Sequence, residues 1–300
     1  MVENAIFLSH FGIWWRYKTV NKTIAILYIC TGGYVSFWDE FFKSFESNFL
    51  NDYEKHYFVF TDDVENIQTD NARIHIIRIE HQPWPLITLL RFHYFLRIKE
   101  QLEQYEFLMF ANSNLLCKQK ITAQEFLPRI EENENFSFVF HAGFLNKQRV
   151  YNYPFERNRN STAYIPYNCG ASYVMGGMNV GRTPNYLGMC ETLKERIEID
   201  LSKNIIATWH DESHLNRFIV NRIDCRFLTP SYCYPDSFVV PYEKKICIVT
   251  KAKKFGVDDF KKINVNITFF RRVLRRLKSD GFIYYLRDLI SNKKIEVIGR

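Results

Sequence analysis

No C-x-x-C pair occurs in the chain, and its cysteines, at positions 30, 117, 169, 190, 225, 233 and 247, are scattered and odd in number. That excludes a zinc framework and a disulfide scaffold, and it suits a reducing compartment. The apolar stretch near the start, Ala5 to Trp15, is interrupted by His10 and Gly12 and is too short to span a bilayer. It also lacks the basic start and small-residue cleavage site of a signal peptide. A cytoplasmic protein, neither secreted nor membrane-spanning, is expected. Gly32-Gly33 belongs to neither a P-loop nor a dinucleotide fingerprint, and no G-x-S-x-G elbow is present. No nucleic-acid-binding module matches, so no nucleic-acid partner is expected. Internal repeats and low-complexity segments are missing too.

What is present is a chain of 300 residues, enough for one large α/β domain with a tail. Aromatic residues reach 17%, which suits stacking on sugars or bases and equally suits a ring-rich core. The formal charge of +7 favours an anionic partner such as a phosphorylated small molecule or a membrane surface.

Thr23 to Cys30 is apolar and β-branched, a first strand. It ends in Thr31-Gly32-Gly33-Tyr34, where two glycines let the backbone approach something closely. Phe37 to Phe49 has helical spacing, and Tyr57 to Thr61 and Ile74 to Ile79 read as further strands. After the break at Pro83-Trp84-Pro85, the pattern predicts one long helix from Leu86 to Leu102, with Arg91 among its polar residues. Phe107 to Phe110 is a buried central strand. Strands alternating with helices predict a doubly wound, largely parallel sheet.

Further on, Phe136 to Phe140 reads as a strand and Tyr151 to Asn160 as a polar, aromatic loop. Thr183 is expected to cap a helix that starts at Pro184 and runs towards Asp200. Trp209 to Val220 reads as another helix and Ile246 to Thr250 as a last strand. The chain divides into an aromatic, basic leader (1–22), a folded domain (23–250) and a basic tail (251–300). In the tail, Arg271, Arg272, Arg275 and Arg276 alternate with Phe269, Phe270, Val273, Leu274 and Leu277. On a helix these form a basic and an apolar face, suited to a membrane surface or to docking on the domain.

Two clusters carry chemistry. Asn112-Ser113-Asn114 interrupts the central strand, as an ordinary turn or as polar groups delivered to the carboxyl edge of the sheet, where ligands bind in open α/β folds. Trp209-His210-Asp211-Glu212-Ser213-His214-Leu215-Asn216 packs two carboxylates and two imidazoles into about one helical turn. His210 and His214 are four apart and could share a zinc ion, but the H-E-x-x-H order and a third ligand are missing. A structural alternative makes Asp211 a helix cap and leaves Glu212 solvated.

Together these segments resemble glycosyltransferase family six, the family of the histo-blood-group A and B transferases, the α1,3-galactosyltransferase and their bacterial relatives. The resemblance runs from about Ile24 to Pro241. It is carried by Tyr57-Phe58-Val59-Phe60-Thr61-Asp62, Arg91, Phe107 to Asn114, His141-Ala142-Gly143-Phe144, Phe155-Glu156-Arg157 with Ala163 to Pro166, Met175-Gly176-Gly177 and, above all, Trp209 to Asn216. It implies a GT-A-type, Rossmann-like domain that transfers galactose or N-acetylgalactosamine (GalNAc) from UDP to a β-galactoside. The new linkage would be α1,3, with anomeric configuration retained. Matched residue by residue, Ile29, Cys30, Thr31 and Tyr34 would surround the uridine. Arg91, Asn112, Asn114, Met175, Gly177 and Asp211 would meet the rest of the donor. His141 and Trp209 would line the acceptor galactose, and Glu212 would sit beneath the reacting carbon. Retention is open to a double displacement through Glu212 or to same-face attack assisted by the departing phosphate.

Animal members carry Asp-x-Asp, which holds Mn²⁺, where this chain has Asn112-Ser113-Asn114. Neutral amides are poor partners for a hard dication, so no cofactor is expected, with Mn²⁺ the alternative. Arg91, with Lys251, Lys253 or Lys254, would then neutralise the diphosphate. Glycine at 177 leaves room for an acetamido group, whereas methionine at 175 is the galactose-type residue; UDP-GalNAc is favoured slightly over UDP-Gal. The acceptor, with or without a 2-fucosyl branch, would be a lipid-linked surface polysaccharide at the inner membrane face. Leader and tail would then make peripheral membrane contact. Two rivals are a non-catalytic nucleotide-sugar or glycan-binding module and a zinc hydrolase using His210 and His214.

Overall fold

The computed structural model describes residues 22–67, 69–145, 152–236, 239 and 241–250. The expectations for the tail, including its amphipathic helix and Lys251, Lys253 and Lys254, lie outside the described residues, as do those for the leader up to residue 21. Among the described residues no helix is long and apolar enough to cross a membrane.

β1 (Thr23–Ile29) is the hub. It runs parallel to β2 (Glu54–Thr61) on one side and to β4 (Phe107–Asn112) on the other. β2 carries β3 (Ile74–Arg78), again parallel. Beyond β4 lie β7 (Val174–Arg182), β6 (Phe136–Phe140) and β8 (Cys225–Leu228). β7 is antiparallel to both β4 and β6, and β6 is parallel to β8. The order β3-β2-β1-β4-β7-β6-β8 gives a mixed α/β domain with a mostly parallel sheet, as expected. A small second sheet joins β5 (Leu115–Cys117), β10 (Ile246–Ile248) and β9 (Tyr234–Pro235), and the short helix α5 (Ala123–Phe126) follows β5.

Because strand side chains alternate, β1 feeds two cores. Ile24, Ile26 and Tyr28 meet Trp38, Phe41 and Phe45 of α1 (Trp38–Asn48) on one face. Ala25 and Leu27 meet, on the other, Phe92 and Phe95 of α3 (Arg91–Leu96), Leu193 of α6 (Thr183–Ser202) and Leu215 of α7 (His210–Ile219). Many of the aromatic rings are spent here: Tyr28, Phe41, Phe45, Phe58, Phe60, Phe92, Phe95 and Tyr186 are all buried. Each such ring contributes about 1.5–3 kcal/mol.

Two expectations need correction. The helix predicted from Leu86 to Leu102 is three short ones: α2 (Leu86–Leu89), α3, and α4 (Lys99–Leu102). Its buried apolar residues Leu89, Phe92 and Phe95, with Ile98 packed beside them, recur every third position. An α-helix cannot hold that period on one face, and i→i+3 bonds from His93 to Leu90 and from Ile98 to Phe95 reset it. Thr183 is not a cap but the first residue of α6, with Arg182 capping and Pro184 second. The Thr183 backbone N–H is taken by the carbonyl of Glu106 at 3.2 Å, which draws the helix start back by one residue.

Candidate active site

β1 and β4 end side by side, with Ile29 opposite Asn112. β7 runs the other way, so its first residues arrive at this same edge: Met178 pairs with Ala111, and Gly177 therefore lies beside Asn112. A methyl group on Gly177 would stand only 2.7 Å from Asn112 Nδ2. The turn that follows is pinned from two sides. The Tyr28 hydroxyl donates to the Ser113 carbonyl at 3.1 Å, and Asn114 Nδ2 donates to the Val249 carbonyl at 2.8 Å. The polar break in the central strand is thus a fixed ledge at the sheet edge.

Above this ledge opens a cavity of about 550 Å³, within the range of small-molecule sites. It gathers Ile29, Thr31, Tyr34, Arg91, Asn112 and Asn114, six of the residues expected to meet the donor. Cys30 is not among them. It follows Ile29 and turns the opposite way, into the core, where burial pushes its thiol up to about 12. Met175 also packs into that core, beside Met178 and Cys233. The cavity is completed by His81, Gln82, Trp84, Ile87 and Thr88, which no signal beyond the Pro-Trp-Pro break marks, and by Phe110, Ser113 and Ile248. Among the described residues lining it there is no carboxylate, and two side chains, Arg91 and His81, can carry positive charge.

Arg91 links the cavity to the second cluster. It is only 3% exposed, although it stands among the polar residues of the helix predicted there. Its guanidinium lies 4.3 Å above the ring of Phe110, donates to the Gly176 carbonyl at 3.0 Å and pairs with Asp211 at 2.6 Å. Its Nε has no hydrogen-bond partner among the described residues. Asp211 is accordingly not a helix cap. Trp209 occupies that position, and Asp211 lies in the first turn of α7, turned to Arg91.

Glu212 is not left to solvent either. Its Oε1 accepts from the Tyr173 hydroxyl at 2.7 Å and its Oε2 from the Gly176 N–H at 2.7 Å. Burial pushes its carboxyl up to about 7; the Gly176 and Tyr173 donors and Arg91 oppose that rise, and Asp211 adds to it. Such a carboxylate titrates near neutrality, as groups in functional sites often do.

His141 and Trp209 flank this centre. The Gly143 N–H donates to His141 Nδ1 at 3.0 Å, so the neutral ring carries its proton on Nε2. Burial lowers its pKa to about 4 and keeps it neutral. Its ring stands 5.8 Å from that of Tyr173. Trp209, 44% exposed, is held from behind: the buried Glu156 accepts from the N–H and the hydroxyl of Thr208 at 2.6 and 2.9 Å.

The proposed zinc pair separates. The ring of His210 meets Trp84 edge-on at 4.6 Å, whereas His214 is buried with its Nε2 3.8 Å from Asp200. Asp200 is already bonded to Ser161 and to the Thr162 N–H. Among the described residues no group of three or more His, Cys, Asp or Glu is placed to hold a metal ion. The ledge itself offers only neutral oxygens, from Asn112, Ser113 and Asn114. Such amide and hydroxyl oxygens, without a carboxylate beside them, bind a hard dication more weakly than carboxylates do.

A mostly parallel sheet with a polar ledge and cavity at its carboxyl edge, backed by a carboxylate on an adjoining helix, is consistent with a GT-A-like glycosyltransferase domain. The profile of glycosyltransferase family 6 matches residues 13–257, and the chain belongs to that family. The chain is 32% identical over 239 residues to the O-antigen biosynthesis glycosyltransferase WbnI of Escherichia coli, covering 80% of this chain and 99% of that protein. It is 26% identical over 234 residues to the globoside alpha-1,3-N-acetylgalactosaminyltransferase 1 of Gallus gallus, covering 76% of this chain and 66% of that one. To the histo-blood group ABO system transferase 2 of Rattus norvegicus it is 24% identical over 226 residues, covering 73% and 65%. The chain thus spans nearly all of the bacterial relative and just under two thirds of the two vertebrate ones.

Proposed function

We propose that this protein is a retaining, metal-independent transferase that moves GalNAc or galactose from UDP to the 3-hydroxyl of a β-galactoside, forming an α1,3 linkage in a surface glycan. The observation that carries this is the Glu212 carboxylate, held by both oxygens between Tyr173 and Gly176 and joined through Arg91 to the cavity. The bond from the anomeric carbon to the diphosphate oxygen breaks and its electron pair leaves with UDP. The bond from the acceptor 3-oxygen to that carbon forms, and the hydroxyl proton passes to the departing diphosphate. Positive charge develops at the anomeric carbon, where a fixed carboxylate in a low-dielectric site stabilises it. Glu212 serves as that charge, or as the nucleophile of a double displacement.

Arg91 supplies positive charge to the leaving diphosphate, and the amides of Asn112 and Asn114 serve as neutral hydrogen-bonding groups for the donor. His141, proton on Nε2, donates to an acceptor hydroxyl, and the exposed face of Trp209 packs on the galactose ring. Incubation with UDP-GalNAc or UDP-Gal and a β-galactoside tests the reading: a product one sugar longer than the acceptor, with a new α-anomeric NMR signal, supports it. UDP binding without transfer or hydrolysis points instead to a binding module.

The resemblance would put donor choice at Gly177, but the space a side chain would fill there is held by the Asn112 amide, which lines the cavity. Gly177→Ala should not simply exchange one donor for the other. Its methyl would force the Asn112 amide aside, and overpacking of this kind costs about 1–3 kcal/mol. The expected result is a loss of stability of that size and a fall in kcat/KM for both donors, because the displaced Asn112 amide lines the cavity. A clean switch of preference with no overall loss would contradict it.

A further inference from the structure

We infer that Tyr173 is a positioning residue for Glu212: its hydroxyl, carried by the residue just before β7, fixes the orientation of the reacting carboxylate. The inference rests on the glycosyl-transfer reading above.

Tyr173 is fixed in every part except its hydroxyl. Its carbonyl accepts from the His141 N–H at 3.0 Å. The next residue, Val174, is locked to α7 by Asn216, which accepts from its N–H and donates to its carbonyl, both at 3.0 Å. The ring is buried among aromatic neighbours, with Phe144 at 5.1 Å and Phe155 at 5.4 Å. Phenylalanine would fill this cage equally well, and an unbonded buried hydroxyl is costly. What justifies a phenol here is the carboxylate it reaches at 2.7 Å. Burial and the neighbouring Glu212 hold its pKa well above the ordinary range, so the phenol keeps its proton and remains a donor.

The geometry has a functional consequence. A glutamate side chain on a helix turns freely about its terminal bond. With Tyr173 on Oε1 and the Gly176 N–H on Oε2, that rotation is stopped, and each oxygen keeps a second lone pair for the reacting carbon. The charged and titratable groups around Glu212 are Asp211 on its own helix, Arg91 from α3, Tyr173 and Gly176 N–H beside and within β7, and the buried thiol of Cys233. Of these, Asp211 disfavours the ionised carboxylate, whereas Arg91, Tyr173 and the Gly176 N–H favour it.

The test uses the full chain and Tyr173→Phe, with Glu212→Gln as reference. Transfer from UDP-Gal and UDP-GalNAc to a β-galactoside is followed from pH 5.5 to 9, as ~0.5-unit steps, alongside UDP affinity and melting temperature. A hydrogen bond to a charged group corresponds to about one pH unit or more. Tyr173→Phe should therefore move the acid limb of kcat/KM upwards by about one unit and lower kcat at neutral pH about tenfold or more. UDP affinity and melting temperature should stay close to native. A uniform loss with the acid limb unmoved, or no loss, would overturn the inference. If Glu212→Gln itself keeps native turnover, the glycosyl-transfer reading of that site fails. A ¹³C-carboxyl NMR titration, with the Glu212 signal identified by its loss in Glu212→Gln, then decides on Tyr173 without reference to activity. An identical Glu212 midpoint in native and Tyr173→Phe protein would sink the inference, and a raised midpoint would support it.

Discussion

Glu212→Gln is expected to lower turnover about 10²–10³-fold, the usual loss when one preorganised electrostatic group is removed. UDP affinity should be nearly unchanged, because the side chains lining the cavity do not include Glu212. Isothermal titration with UDP and steady-state kinetics separate the two quantities. Equal losses in both would make Glu212 a structural residue. The native protein carries a matching pH signature. The carboxyl of Glu212 is pushed up to about 7 by burial, and kcat/KM reports the ionisations of the free enzyme. Activity should therefore rise as pH passes upward through about 7, where the carboxylate forms, and fall below it. That limb should be absent from whatever activity Glu212→Gln retains.

Arg91→Met should be costly in a different way. Arg91 and Asp211 form a buried ion pair at 2.6 Å, and removing one partner leaves an uncompensated charge. Breaking such a pair typically costs about 3–5 kcal/mol. Urea denaturation should show a loss of that size, with donor binding abolished in whatever fraction remains folded. Arg91→Lys keeps the charge but not the planar fork that reaches Asp211 and the Gly176 carbonyl together. It should recover much of the stability while leaving donor KM well above native. Full stability in Arg91→Met, or native donor KM in Arg91→Lys, would contradict this role.

The buried parallel strands were legible in the sequence because strands covered on both faces read as unbroken apolar runs; β1 and β4 are of this kind. β7 was not readable as a strand. Its run Val174 to Arg182 contains three glycines, residues that weaken strands. They are there because neighbours crowd them: a methyl group on Gly181 would strike the ring of Phe136 at 2.7 Å, as one on Gly177 would strike Asn112. The helix after the Pro-Trp-Pro break was misread for a related reason, since tertiary packing imposed a period of three. At the site, the residue types of Arg91, Asp211 and Glu212 stood out, but not their partners. Arg91 and Asp211 are far apart in the chain, and nothing in its order announces that Tyr173 meets Glu212. Asn112-Ser113-Asn114 was visible as a polar break; its fixation by Tyr28 and Val249 depends on contacts that only folding creates.

Sugar transfer at this site is expected to need no dication, because amides stand where carboxylates would hold a metal. The deciding measurement is transfer from UDP-GalNAc and UDP-Gal to a β-galactoside after exhaustive treatment with EDTA, with and without added Mn²⁺. An α1,3-linked product should form at the same rate in EDTA as in Mn²⁺. Transfer that disappears in EDTA and returns with Mn²⁺ would contradict it.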